Sequence, residues 1–322
     1  MFGLTFLTAT SKTTTHRVVP FRMGKLFGAI AGYVAGGQDS GGHISAIIKV
    51  AFPADTLTTL SATLTSPRYG LTGFANSGVA GYVAGGYEVS FTSVIDKVSF
   101  PADSKTTLSA TLTTARGYAA GFANSGVAGY AAGGNDNSVN ISGIDKVSFP
   151  ADSKTTLSAT LTNQRSNAAG FANSGVAGYA AGGYDGSPYV SGIDKVSFPA
   201  DSKTTLSATL TTARGYAAGF ANSGVAGYSA GGAGGGTISG IDKIAFPADT
   251  KTTLSATLTS GREAPAGFAN SGVAGYVAGG YDSARVSGID KVSFPADTKT
   301  TLSATLTTAR VYAGGFADSG SL

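Results

Sequence analysis

The chain has 322 residues, of which 42% are hydrophobic and only 12% charged, so it carries enough apolar material for a core. Its 48 glycines and 10 prolines stay below the share that marks unstructured low-complexity chains. The formal charge of +4 comes from Lys12, Arg17, Arg22 and Lys25 near the start; the rest is balanced, which excludes the basic stripe that nucleic-acid binding needs, and the lack of cysteine excludes disulfides and thiolate chemistry.

The first 27 residues differ from everything after them. Their apolar patch, Met1 to Leu7, precedes the basic residues, the reverse of a secretory signal, so Sec-type export is not expected. No run approaches the ~18 apolar residues of a membrane helix, so no membrane insertion is expected. Thr5 to Thr10 has the character of a worn β-strand, and residues 1–27 are expected to lie outside the main domain as an attachment arm, a relic of a further repeat, or disordered chain.

From residue 28 to 322 one unit recurs. Gly-Tyr-x-Ala-Gly-Gly places its tyrosine at Tyr33, Tyr82, Tyr130, Tyr179, Tyr228 and Tyr276. Phe-Pro-Ala-Asp follows each time at Phe52, Phe100, Phe149, Phe198, Phe246 and Phe294, and Phe-Ala-Asn/Asp-Ser-Gly at Phe74, Phe122, Phe171, Phe220, Phe268 and Phe316. Residues 116–165 predict four extended runs, A to D. Strand A is Tyr118 to Ala123, and the turn Asn124-Ser125-Gly126 leads into strand B, Val127 to Ala132. Strand C is Ile144 to Phe149, stopped by Pro150. Strand D is Thr156 to Thr162, where Leu157, Ala159 and Leu161 alternate with polar residues.

Six such units predict an all-β fold: a six-bladed β-propeller of four-stranded antiparallel blades. Strands B, C and D each occur six times between Val34 and Arg310, but the sixth good A strand is C-terminal, within Val311 to Ser319. That strand is therefore expected to be the innermost strand of blade 1, closing the ring and removing an open edge.

The order of markers resembles the kelch repeat. A double glycine (Gly133-Gly134) closes the second strand, an aromatic (Phe149) lies on the third, a hydrophobic residue (Leu157) comes early in the fourth, and an arginine leads into the next blade. The chain departs from the family's usual Tyr and Trp at the positions of Phe149 and Leu157. Ile-Asp-Lys-Val-Ser-Phe and Thr-Thr-Leu-Ser-Ala-Thr-Leu also resemble kelch-like repeats of bacteriophage virion and tail-fibre proteins. That resemblance implies an adhesive or structural role in a virion or at an extracellular surface, with a host-surface glycan or protein, or other virion proteins, as partner. An intracellular kelch-type protein-interaction scaffold is the alternative.

Candidate binding residues are those that differ between copies. Strand direction places the B–C and D–A loops on one face, where sequence varies, and the A–B and C–D turns on the other, where it hardly does. The B–C loops contribute Gln38, Asp39, Tyr87, Glu88, Asn135, Asp136, Asn137, Tyr184, Asp185, Tyr189, Tyr281, Asp282 and Arg285; the D–A loops contribute Tyr69, Tyr118, Tyr216 and Tyr312. Tyrosine, Asp and Asn on loops of a rigid scaffold suit adaptable recognition, although drift in loops that touch nothing produces the same variation. Arg68, Arg116, Arg165, Arg214, Arg262 and Arg310 either form a positive ring for anionic ligands or serve structure by pairing with acids and carbonyls. Asp-Lys pairs such as Asp145-Lys146 are expected to pair across blades. No enzyme, metal or cofactor is expected: His16 and His43 are the two histidines, a galactose-oxidase-like copper site would lack its His and Cys ligands, and the sialidase Asp-box with its Trp is absent.

Overall fold

The computed structural model describes residues 30–186 and 189–318. Among these residues there are six four-stranded antiparallel sheets and no helix. Blades 2 to 6 span residues 72–107, 120–156, 169–205, 218–253 and 266–301; blade 1 spans 31–63 and takes its innermost strand from Gly314–Asp318. That strand pairs antiparallel with Ala31–Ala35, Phe316 opposite Tyr33, so the C-terminal strand closes the ring as expected. Residues 1–27 lie outside the described residues.

Glycine sets how close the strands come. A Cβ on Gly121, in strand A of blade 3, would lie 2.1 Å from the carbonyl oxygen of Gly73 in blade 2, so the inner strands meet backbone to backbone. In strand B, a Cβ on Gly129 would lie 2.0 Å from the Phe74 ring of the preceding blade. Small residues at the hub let six blades close around a narrow axis.

Aromatic side chains seal each seam. Tyr82 stacks on Phe74 of its own blade at 5.4 Å and on Phe149 of the next at 5.0 Å. Its hydroxyl donates to Asp152 Oδ1 at 2.8 Å, and Lys97 reaches Asp152 Oδ2 at 2.6 Å while lying over the Tyr82 ring. Burial, reinforced by that hydrogen bond, pushes the Tyr82 phenol far above its usual range. The same arrangement recurs from Tyr33 with Asp103 to Tyr276 with Asp55.

Strand D departs from the expected position. It is Ser153–Thr156 in blade 3, earlier than the Thr156 to Thr162 run. Leu157 N–H still donates to Ile144 O, but the next bond to strand C runs from Leu161 to Ser142, so four residues advance against two and the ladder is lost. The alternation remains real, with Leu161 buried and Ser158 and Thr160 exposed. Strand A likewise begins at Ala120 and not Tyr118, because Tyr118 takes a positive φ of 60° in the preceding turn.

Candidate functional site

The B–C and D–A loops lie together as the strand order requires. Within each blade they touch through paired residues: Gln38 with Val311, Tyr69 with Tyr87, Gly117 with Asn135, Ser166 with Tyr184, Gly215 with Ala233, and Glu263 with Tyr281. At the axis, the D–A turns form a closed ring of backbone hydrogen bonds. Gly70, Tyr118, Asn167, Tyr216, Ala264 and Tyr312 each donate an N–H to the carbonyl of the equivalent residue one blade back, at 2.7–3.0 Å. All six have positive φ, from 55° to 68°. Asn tolerates this conformation, whereas Tyr and Ala are held there by the ring.

Tyrosine occupies this hub position in blades 3, 5 and 1, alternating with Gly70, Asn167 and Ala264 in blades 2, 4 and 6. Tyr312 contacts Tyr118 at 5.5 Å and Tyr216 at 6.0 Å, so three rings cap the axis. Their phenols are pushed upward first by burial, then by neighbouring tyrosines. In the B–C loops the alternation is reversed: Tyr87, Tyr184 and Tyr281 belong to blades 2, 4 and 6. The face therefore has threefold character, with an outer tyrosine over each gap between hub tyrosines.

The three gaps are not equivalent. In blade 2, Tyr69 fills the gap, 5.4 Å from Tyr87, 6.2 Å from Tyr118 and 5.8 Å from Tyr312, and His43 and Phe91 extend the aromatic arc. In blade 6, burial pushes the Glu263 carboxyl up, and Arg285 links across to Gln38 of blade 1 at 3.3 Å. In blade 4, Ser166 and Asn167 leave a hollow of about 520 Å³, lined by Tyr118, Tyr184, Tyr216 and Tyr312 with Asn135, Asn140, Gln164 and Asp185. Its wall is tied together: Asn135 donates to Asn140 Oδ1 at 3.1 Å, and Asn140 donates to Tyr184 O of the next blade at 2.9 Å.

Several loop residues serve turns. Asp39 accepts the N–H groups of Gly41 and Gly42, and Asp136 accepts those of Ser138 and Val139. Asn137 has a φ of 84°, and Glu88 accepts a hydrogen bond from Ser66. Tyr281 is exposed, and Asp282 provides the carbonyl that Ser283 bonds. Tyr189 packs on Tyr184 at 5.6 Å and on Tyr216 at 6.2 Å.

The arginines do not face the channel mouth; all six are buried. Arg68, Arg116, Arg165, Arg214 and Arg262 reach Asp96, Asp145, Asp194, Asp242 and Asp290 of strand C at 2.5–3.3 Å. The anionic-ligand reading is thus corrected: guanidinium groups enclosed with carboxylates present no positive ring to solvent. Burial alone would raise the Asp145 carboxyl, but Thr113, Arg116 and Thr156 hold it below the usual carboxylate range. Asp145 and Lys146 part company. Asp145 clasps the D–A connection, whereas Lys146 crosses to Asp201 of the next blade at 2.6 Å. In blade 1, Ile48 stands at the Asp145 position, and Arg310 instead donates to the carbonyls of Gly36 and Ala46.

The loop variation in sequence singles out residues of this face but passes over Phe91, Asn140 and Gln164. Phe91, Asn140 and Tyr189 all occupy the return arm of the B–C loop, each bridged to the outgoing residue Tyr87, Asn135 or Tyr184. Aligning that arm across copies is the signal that would have found them. Among the described residues no group of three or more His, Asp or Glu side chains could hold a metal ion. No protein family and no curated protein matches this chain.

Proposed function

We propose that this propeller is a non-enzymatic binding protein that contacts a host-surface glycan, or a protein bearing one, through its B–C and D–A loop face. The observation that carries the reading is the blade 4 hollow, where tyrosine rings and side-chain amides converge on a concave surface beside a rigid hub. Tyrosine offers flat apolar area for the C–H face of a sugar, and Asn and Gln offer donor and acceptor together for its hydroxyls. The likeness of the repeats to phage virion and tail-fibre kelch-like sequences supports a place on a particle or another extracellular surface.

A glycan array tests this. Specific saccharide binding that is lost in Tyr184→Ala and Asp185→Ala is the expected result. The second reading, an intracellular kelch-type scaffold gripping a peptide, is favoured by the aromatic arc of His43, Tyr69, Tyr87 and Phe91. An array without binding, together with a protein partner recovered through that arc, would replace the first reading by the second.

A further inference from the structure

We infer that the ring, despite its six near-identical blades, has a single ligand socket at blade 4, that it takes one neutral pyranose residue, and that Tyr69 plugs the equivalent socket in blade 2. The inference rests on the glycan-binding reading above and deepens it. Two observations carry it. The first is the alternation at the hub: the D–A turns entering blades 3 and 5 both read Thr-Thr-Ala-Arg-Gly-Tyr-Ala, and that entering blade 1 differs in one residue of the seven, Val311 for Gly. The turns entering blades 2, 4 and 6 instead read Ser66-Pro67-Arg68-Tyr69, Asn163-Gln164-Arg165-Ser166 and Ser260-Gly261-Arg262-Glu263. Apart from Val311, variation falls on the three even blades, each of which sits between two hub tyrosines.

The second observation is the residue after the arginine. Tyr69, Ser166 and Glu263 occupy the same position of the same turn, and the backbone after them has the same left-handed conformation in Gly70, Asn167 and Ala264. In blade 2 the tyrosine ring fills the space between Tyr118, Tyr312 and Tyr87. In blade 4 the short Ser166 leaves the corresponding space open between Tyr118, Tyr216 and Tyr184. The molecule thus displays an occupant for the socket: a six-membered ring carrying a hydroxyl.

The open socket is more polar than its filled counterpart. Asn167 uses one amide N–H on Ser166 Oγ at 3.0 Å, and side-chain amides can make up to about four hydrogen bonds, leaving capacity for a ligand. Among the described residues no Lys or Arg lines the hollow and Asp185 is the one acid that does, so an anionic sugar is disfavoured.

The test copies the plug. Ser166→Tyr with Asn167→Gly transplants the blade 2 turn into blade 4, where blade 2 already shows that the side chain and backbone are compatible. Titration calorimetry with methyl α-D-glucopyranoside, methyl α-D-galactopyranoside and N-acetylglucosamine should give one site per chain for at least one probe. The double substitution should weaken that binding at least tenfold at unchanged melting temperature, and Gln164→Ala, an exposed rim change, should weaken it at least threefold. N-acetylneuraminic acid should bind at least tenfold more weakly than the best neutral probe. Array binding that survives the transplanted plug, a stoichiometry above one, or a preference for the anionic sugar overturns the socket assignment while leaving the glycan reading standing. Absence of binding to any glycan removes both.

Discussion

The hydroxyl of Tyr276 in blade 6 donates to Asp55 Oδ1 of blade 1 at 2.7 Å, across 221 residues of sequence. This is the seam bond found between Tyr82 and Asp152, and here it fastens the last blade to the first. Lys291 reaches the other carboxylate oxygen at 2.6 Å. Tyr276→Phe should cost about 1 kcal/mol, the usual net worth of one hydrogen bond. Asp55→Ala should cost roughly 2 kcal/mol or more, since it strands a charged partner and places Ala at the positive φ of 54° that Asp55 adopts. Urea denaturation measures both, and equal costs would contradict this account.

Closure also depends on Phe316, which is buried and stacks on Tyr33 at 5.1 Å. Phe316→Ala should destabilise by about 3–5 kcal/mol, as for other buried phenylalanines. Removing residues 311–322 should do more, exposing Ala31–Ala35, a strand buried on both faces, as an open edge. A truncated protein that melts at the temperature of the full chain would rule out the clasp.

Asp145 is buried between Arg116 at 3.3 Å and the N–H and hydroxyl of Thr113. Asp145→Ala should cost about 3–5 kcal/mol, because it leaves an uncompensated guanidinium in the interior. Blade 1 places Ile48 at this position, and its Arg310 donates to the carbonyls of Gly36 and Ala46. A cost below 1 kcal/mol in chemical denaturation would show that carbonyls can take over at blade 3 as well.

Ser229 is fully buried in strand B of blade 5, and its hydroxyl has no partner among the described residues. The other blades place Val34, Val83, Ala131, Ala180 and Val277 there. Ser229→Ala should therefore stabilise by about 1 kcal/mol, the low end of the desolvation penalty for an unsatisfied polar group. A lower denaturation midpoint in the variant would refute this.

Stability should fall at both ends of the pH scale. The carboxyls of Asp96, Asp145, Asp194, Asp242 and Asp290 lie below their usual range, because hydrogen bonds and the arginines outweigh burial. Their contribution is present above the unfolded value of about 4 and is lost as pH falls through the lower folded values. The seam tyrosines, raised by burial and their Asp partners, act oppositely: their contribution holds below the unfolded value of about 10 and declines as pH rises further. Denaturation midpoints that stay flat from pH 4 down to pH 2 would contradict the acid limb.

Residue order alone determined the number of blades, the closing strand and the division between a uniform and a variable face. These follow from the recurrence of Tyr33, Phe52, Phe74 and their copies, and from strand alternation, which is a local property of the chain. Tertiary structure decided where the arginines point and which gap on the variable face is open. Arg116 reads either as part of a positive ring or as the partner of an unnamed acid until Asp145, 29 residues on, is folded against it. Tyr69 reads as one more loop tyrosine until Tyr118 and Tyr312, from the blades on either side, are seen to enclose it. A strand's pattern depends on its own neighbours, but a socket depends on side chains from three blades, and only their packing determines whether the space between them is filled.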